Sequence, residues 1–199
     1  MELDIFEKVN IYAIPKTIQA LFDPNIAKPD FVWENVNELT AEIRDQFELI
    51  VFDLDRTLVL DGSDEISPDL KYIWEEIRSG SARIACFTNK SNSRNKRFGD
   101  KYDVPVYSGL PKKPHPAKFR EILSDYYLAG TPQKTLFVDD SLLTGIVGAK
   151  GVGMQTALVN YMSISKTPEM ITKRLFGRPL ESLTRRRLGL HFSKKDNSI

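Results

Sequence analysis

The sequence predicts a three-layer α/β/α sandwich on a five-stranded parallel sheet with no cap domain. Five short apolar runs carry this first: Leu49–Phe52, Ala82–Phe87, Val104–Tyr107, Thr135–Val138 and Gln155–Val159. Their length and near-continuous hydrophobicity suit strands buried on both faces. Helical patterns lie between them, which calls for parallel strands joined by crossovers. The links are also short. Only residues 58–67 separate the first run's polar motif from its helix, and only residues 108–115 separate the third run from the next helix. Neither gap can hold a folded cap.

The clearest helix spans residues 68–79. Ser67 is placed to cap it, Pro68 suits its first turn, and Gly80 ends it. Leu70, Ile73, Trp74 and Ile77 form its apolar stripe. A second runs from Pro116 to Leu128, with Phe119, Ile122, Leu123 and Tyr126 in the same spacing. The order implies a core over residues 48–160, preceded by a helical extension (1–47) and followed by a basic extension (161–199). In the front extension, Phe22–Asn25 and Lys28–Asp30 read as turns. Residues 34–47 suit a short helix with Val36, Leu39, Ile43 and Phe47 on one side. In the tail, Thr172–Arg187 reads as helical, with a break around Gly177-Arg178-Pro179. Gly148–Gly153 lacks the spacing of a phosphate loop and reads as a helix end and turn. Cys86 belongs to the core, and His115 and His191 to the surface.

Composition is that of a globular protein: 199 residues, 41% hydrophobic and 28% charged, with net charge +1. The charge is uneven along the chain. Residues 1–50 carry four basic side chains against ten acidic ones, and residues 173–199 carry eight basic against two acidic. Front and tail can attract each other, or the tail can seek phosphates elsewhere. A single cysteine excludes an internal disulfide framework or zinc cluster and points to a reducing, cytoplasmic setting. Glu2, Asp4 and Glu7 argue against a leader peptide. No apolar run approaches the roughly 20 residues of a membrane span, so any meeting with a membrane is at its surface.

Ligands of open α/β sheets bind at the C-terminal strand ends, and here those ends are polar. The first strand leads into Asp53-Leu54-Asp55-Arg56-Thr57, the second into Thr88-Asn89-Lys90-Ser91, the third toward Lys112-Lys113-Pro114, and the fourth into Asp139-Asp140-Ser141. Phosphoryl transfer needs a nucleophile, a proton donor and positive charge around the phosphoryl oxygens. Asp53 and Asp55 can supply the first two, one ionised to attack and the other shuttling a proton. Beside Asp139 and Asp140 they would repel one another unless a cation sat among them, and all-oxygen donors favour Mg²⁺. Thr88 offers a hydroxyl and a backbone amide to phosphate, and Lys113 a full positive charge.

This order of Asp-x-Asp-x-Thr, Thr, Lys and Asp-Asp resembles the haloacid dehalogenase superfamily over residues 48–160. The resemblance implies its Rossmann-like fold, Asp53 as nucleophile and metal ligand, and Asp55 as general acid/base lending its carbonyl to the metal. It further implies Thr88 with Asn89 as substrate-binding, Lys113 as the neutralising cation, and Asp140 as a metal ligand. Many members carry Gly-Asp followed five residues later by Asp. Asp139 and Gly145 stand at those two places here, which matches the superfamily's Asp-Asp form and leaves Asp139 facing either the metal or Lys113. Within the superfamily, Thr88–Asn92, Lys113-Pro114 and Thr172-Lys173-Arg174 with Glu181 resemble the phosphatidylglycerophosphate phosphatase branch. That implies removal of this lipid's terminal phosphate. An uncapped site suits a phosphate presented on something large. Lys90, Arg94, Lys96, Arg97 and Lys101, with the basic tail, could face anionic lipid at ~1 kcal/mol per residue. The alternatives are a phosphatase of phosphoproteins or nucleic acid ends, or a binding module without turnover.

Overall fold

In a computed structural model, residues 13–60, 63–91, 93–160 and 178–192 are described. Glu2, Asp4, Glu7, Asn92 and the tail motif Thr172-Lys173-Arg174 lie outside them. The strands are β1 (Phe31–Trp33), β2 (Leu49–Phe52), β3 (Arg83–Phe87), β4 (Val106–Tyr107), β5 (Thr135–Asp139) and β6 (Gln155–Val159). The helices are α1 (Ala13–Phe22), α2 (Ala41–Arg44), α3 (Lys71–Ser79), α4 (Ser93–Tyr102), α5 (Pro116–Asp125), α6 (Val147–Lys150) and α7 (Arg178–Arg187).

All pairings are parallel, in the order β1-β6-β5-β2-β3-β4. The sheet therefore has six strands where five were expected. The sixth comes from the front extension, where Phe31–Trp33 pairs with Ala157–Val159. Asp30 fastens it, accepting from the Thr156 amide at 2.8 Å and hydroxyl at 2.9 Å and pairing with Lys150 at 3.2 Å.

The β2 run shows why its pattern is unbroken. Ile50 and Phe52 face one layer with Trp74, Ile77 and Phe98, while Leu49 and Val51 face the other with Phe119, Ile122 and Leu123. Alternate side chains thus fill opposite layers, and both are dry. Cys86 is wholly buried in the first layer. A third cluster joins Ala20 of α1 and Leu180 and Leu188 near α7 to Leu142, Leu143, Ile146 and Val147 beyond β5.

Three helix readings change in detail. Residues 68–70 form a 3₁₀ turn before α3, and Ser67 makes no side-chain cap. It is buried, and its own amide and carbonyl bond to Leu58 and Leu70. α5 ends at Asp125 rather than Leu128, and Tyr127 follows with φ 59°. His115 is its N-cap, accepting from the Ala117 amide through Nδ1 at 3.2 Å. Residues 34–47 split into a 3₁₀ turn and α2, with Val36, Leu39 and Phe47 buried. α7 spans Arg178–Arg187, so Arg178 and Pro179 of the expected break lie inside it, and the expected helical residues 172–177 lie outside the described residues.

Candidate active site

Parallel strands deliver their C-terminal ends to one edge, so β2 and β5 place Asp53 and Asp139 side by side. The Asp53 amide donates to the Val138 carbonyl at 2.8 Å and extends the ladder to the site itself. Lys113 lies between the two carboxylates, with Nζ 2.5 Å from Asp53 Oδ1 and 2.6 Å from Asp139 Oδ2. Its third bond runs to the Phe87 carbonyl at 3.1 Å, and the Phe87 and Phe137 rings flank it at 5.3 Å each. Burial alone would lower the ammonium pKa, but Asp139 and Asp53 more than reverse this and hold it above its ordinary value.

The same burial pushes Asp53 up to about 6, with Lys113 pulling against it and Asp139 adding repulsion. Asp139 is raised as well, again chiefly by burial. Its second oxygen accepts from the Ser141 amide at 2.8 Å. Both Asp139 oxygens are therefore engaged by the protein, and Lys113 is its partner. This accounts for Gly145. A Cβ there would stand 2.1 Å from Asp139 Oδ2, so the carboxylate already occupies a side chain's place. The π-helical turn Leu142–Ile146 brings that glycine in.

Asp140 faces another cation. Arg56 Nη2 lies 3.0 Å from Asp140 Oδ2. Arg56 has φ 71°, and its amide bonds to the Val59 carbonyl at 2.7 Å. That tight turn aims it back at the site. The C-terminal helix braces Asp140 from behind: Arg185 Nη2 donates to its carbonyl at 2.8 Å and to Glu181 at 2.7 Å. Glu181 in turn accepts from the Leu142 amide at 3.3 Å.

Asp55 is also buried, and Arg94 grips both its oxygens at 2.6 and 2.8 Å. Thr88 is buried as well, but its amide serves the ladder, donating to the Tyr107 carbonyl at 3.0 Å. Only its hydroxyl is left to face a phosphate, which corrects the expectation of two donors. The hydroxyl oxygen also accepts from the Lys90 amide at 3.3 Å. Asn89 Oδ1 accepts from the Lys113 amide at 2.6 Å. Asn89 is thus turned toward the Lys113 backbone and fixes that lysine.

Of the basic run of 90–101, expected to face lipid, Arg94 is buried in the site, while Lys96, Arg97 and Lys101 stay exposed in surface ion pairs, which hold them only weakly. Arg94 pairs with Asp55, Lys96 with Asp100, Arg97 with Asp64 and Lys101 with Glu65. Asp53, Asp139 and Asp140 each bring a carboxylate oxygen within 4.8 Å of the others, all three residues buried. Such hard oxygen donors fit Mg²⁺.

The sequence has relatives among known proteins. Residues 11–162 match the family described as mitochondrial PGP (phosphatidylglycerophosphate) phosphatase. The chain belongs to this family. It is 30% identical over 157 residues to the mitochondrial phosphatidylglycerophosphatase GEP4 of Saccharomyces cerevisiae, covering 73% of this chain and 84% of the yeast protein. Among solved structures, a predicted phosphoglycolate phosphatase from Haemophilus somnus has a TM-score of 0.49 at 20% identity, covering 64% of this chain and 92% of its own. A haloacid dehalogenase-like hydrolase from Xanthomonas campestris has a TM-score of 0.47 at 10% identity, covering 70% and 98%. As a member of the PGP phosphatase family, this chain is a phosphatase.

Sequence reasoning gave no role to Arg56 and placed Arg94 and Arg185 in a lipid-facing basic surface, whereas Arg94 is buried against Asp55 and Arg185 reaches the Asp140 carbonyl. Arg56 sits inside the Asp-x-Asp-x-Thr motif, where its place was a signal. Arg94 and Arg185 had none beyond membership of basic runs.

Proposed function

We propose that this phosphatase removes the terminal phosphate of phosphatidylglycerophosphate through a phospho-aspartate at Asp53. The observation that carries the reading is the buried Asp53–Lys113–Asp139 bridge beside Asp140 and Asp55. It pairs a nucleophile with a fixed cation at the strand ends. An Asp53 oxygen attacks phosphorus as the ester P–O bond breaks, and Asp55 gives a proton to the departing glycerol oxygen. Phosphatidylglycerol leaves. Water then attacks the same phosphorus, Asp55 takes its proton, and the Asp53–phosphorus bond breaks to release phosphate. Lys113 and the Thr88 hydroxyl hold the phosphoryl oxygens. Asp53, Asp140 and the Asp55 backbone carbonyl would hold Mg²⁺, which supplies positive charge to the phosphoryl oxygens when bound.

Asp53 has a further consequence in the metal-free protein. Its folded pKa lies above the usual carboxylate value, so the fold binds this proton more tightly than the unfolded chain does. Asp53's contribution to stability is therefore present at low pH and lost as pH rises through about 6. Without Mg²⁺, the melting temperature is expected to gain less between pH 5 and 7.5 than in Asp53→Asn. Added Mg²⁺ should raise it more at pH 7.5 than at pH 5, because a protonated Asp53 is a poor ligand. An equal Mg²⁺ effect at both pH values would remove Asp53 from the metal site.

A surface beside the site supports the lipid reading. Ile14, Ile18 and Phe22 fall on one face of α1 and are 52, 51 and 83% exposed. α7 adds Leu183, 45% exposed, with exposed Arg186 and Arg187. Arg187 bonds to the Leu21 carbonyl, and Arg185 of the same helix reaches the Asp140 carbonyl. An apolar ridge with a basic rim thus adjoins the Asp140 end of β5, an arrangement that suits contact with an anionic bilayer. Among the described residues, no helix is long and apolar enough to cross a membrane. The yeast relative is named as mitochondrial, and we carry that setting to this chain as the alternative to a cytoplasmic one.

The test is phosphate release from vesicles containing phosphatidylglycerophosphate, with Mg²⁺ or EDTA. Release is expected only with Mg²⁺. The double change Ile18→Ser/Phe22→Ser should weaken release from vesicles while sparing hydrolysis of p-nitrophenyl phosphate. Hydrolysis of p-nitrophenyl phosphate with no release from the lipid would sink the substrate and leave the phosphatase.

A further inference from the structure

Asp55 is used twice in the proposed chemistry, and no motif explains what holds it. Arg94, in the first turn of α4, does so. Its Nη1 donates to Asp55 Oδ1 at 2.6 Å and its Nη2 to Oδ2 at 2.8 Å, while Nη1 also donates to the Ser63 carbonyl at 3.1 Å. Arg94 is 6% exposed and Asp55 8%, so water has little share in this pair. The surrounding helix is anchored to the same loop. Arg97 pairs with Asp64 at 2.8 Å, Lys101 with Glu65 at 2.6 Å, and the Tyr102 hydroxyl accepts from the Ile66 amide at 3.0 Å. One face of α4 thus grips residues 63–66, and Arg94 reaches past them to the carboxylate.

A planar guanidinium fork fixes the plane of a carboxylate as well as its place. It engages one lone pair on each oxygen. Lys90 stands 3.5 Å from Asp55 Oδ2 with its side chain 38% exposed. It adds charge there with less orientation.

We propose that Arg94 is the positioning residue for Asp55. It sets the carboxyl so that, when protonated, it presents that proton to the leaving oxygen and, once ionised, the same oxygen takes a proton from the attacking water. This rests on the phospho-aspartate reading. It predicts a leaving-group signature that a merely structural arginine would not give. An alkoxide is a strong base and needs the proton from Asp55 as it departs. p-Nitrophenolate is a weak base and departs without it.

The experiment compares kcat/KM on glycerol phosphate and on p-nitrophenyl phosphate for wild type, Arg94→Gln, Arg94→Lys, Asp55→Asn and Asp53→Asn. Arg94→Gln is expected to lose about 10²-fold on the alkyl ester, the scale of general acid catalysis, and under about 5-fold on the aryl ester. Arg94→Lys keeps the charge without the fork and should show the same selectivity in weaker form. It carries the test if Arg94→Gln does not fold. Adding Arg94→Gln to Asp55→Asn should cost little more, because both remove one function. Equal loss on both esters, or no loss on either, overturns the positioning role. Asp53→Asn keeps the failures apart. If it stays active, the phospho-aspartate reading falls and the role of Arg94 falls with it. If it is inactive while Arg94 variants are unselective, only the positioning role falls.

Discussion

Asp53→Asn is expected to lower phosphate release by about 10⁴-fold or more, the usual scale for losing a covalent nucleophile, with the fold intact. Asparagine has nearly the same shape, so the dry wall around it need not move. The substitution removes a carboxylate whose burial raises its pKa to about 6. Lys113 keeps Asp139 at 2.6 Å and the Phe87 carbonyl at 3.1 Å, so its charge is not abandoned. The variant's metal-free melting temperature at pH 7.5 should therefore be no lower than that of wild type. Phosphate release and thermal denaturation on the same preparation check both halves. Activity above a tenth of wild type would refute Asp53 as nucleophile.

Lys113→Met should be the more damaging change, because it harms the fold as well as the reaction. The lysine touches two buried acids from different strands, and its side chain is 3% exposed. Its loss leaves Asp53 and Asp139 facing each other without a cation. Breaking a buried pair in this way costs about 3–5 kcal/mol. The two acids can escape part of that cost by taking up a proton, so the deficit should be smaller at pH 5 than at pH 7.5. Activity should fall about 10²–10³-fold through loss of a fixed charge at the phosphoryl group. Adding Asp139→Asn should restore part of the stability and none of the activity. A single variant as stable as wild type at pH 7.5 would show that the bridge is not what holds β2 to β5 at this edge.

The core strands and the four polar strand ends could be read from the chain because a parallel sheet makes both explicit. Double-sided burial writes continuous apolar runs, and the fold sends each run's last residues to one edge. β1 escaped notice because it is three residues long, and the tie that seats it, Asp30 to Thr156 and Lys150, joins residues about 120 apart. Charge pairing is partly hidden for a related reason. Lys96–Asp100 is a local pair four residues apart, whereas Arg97 and Lys101 meet Asp64 and Glu65, 33 and 36 residues back, which local composition does not record. Arg94 is the sharpest case, since its partner Asp55 was already singled out and only the fold joins them. The doubt over Asp139 was one of geometry too: Lys113 pairs with it at 2.6 Å, and its carboxylate also lies within 4.8 Å of those of Asp53 and Asp140.

The space that Gly145 leaves to the Asp139 carboxylate bears on how this site could have changed over time. The Gly-Asp and Asp-Asp forms of the motif differ at two positions, and here those positions share one volume. Placing an aspartate at 145 first drives it into the carboxylate already there. Removing the carboxylate at 139 first strips Lys113 of one of its two acidic partners. Each single step is a valley, and the two substitutions are passable only together or through a repacked intermediate. The two forms should therefore behave as separate lineages rather than as freely exchanging spellings of one site.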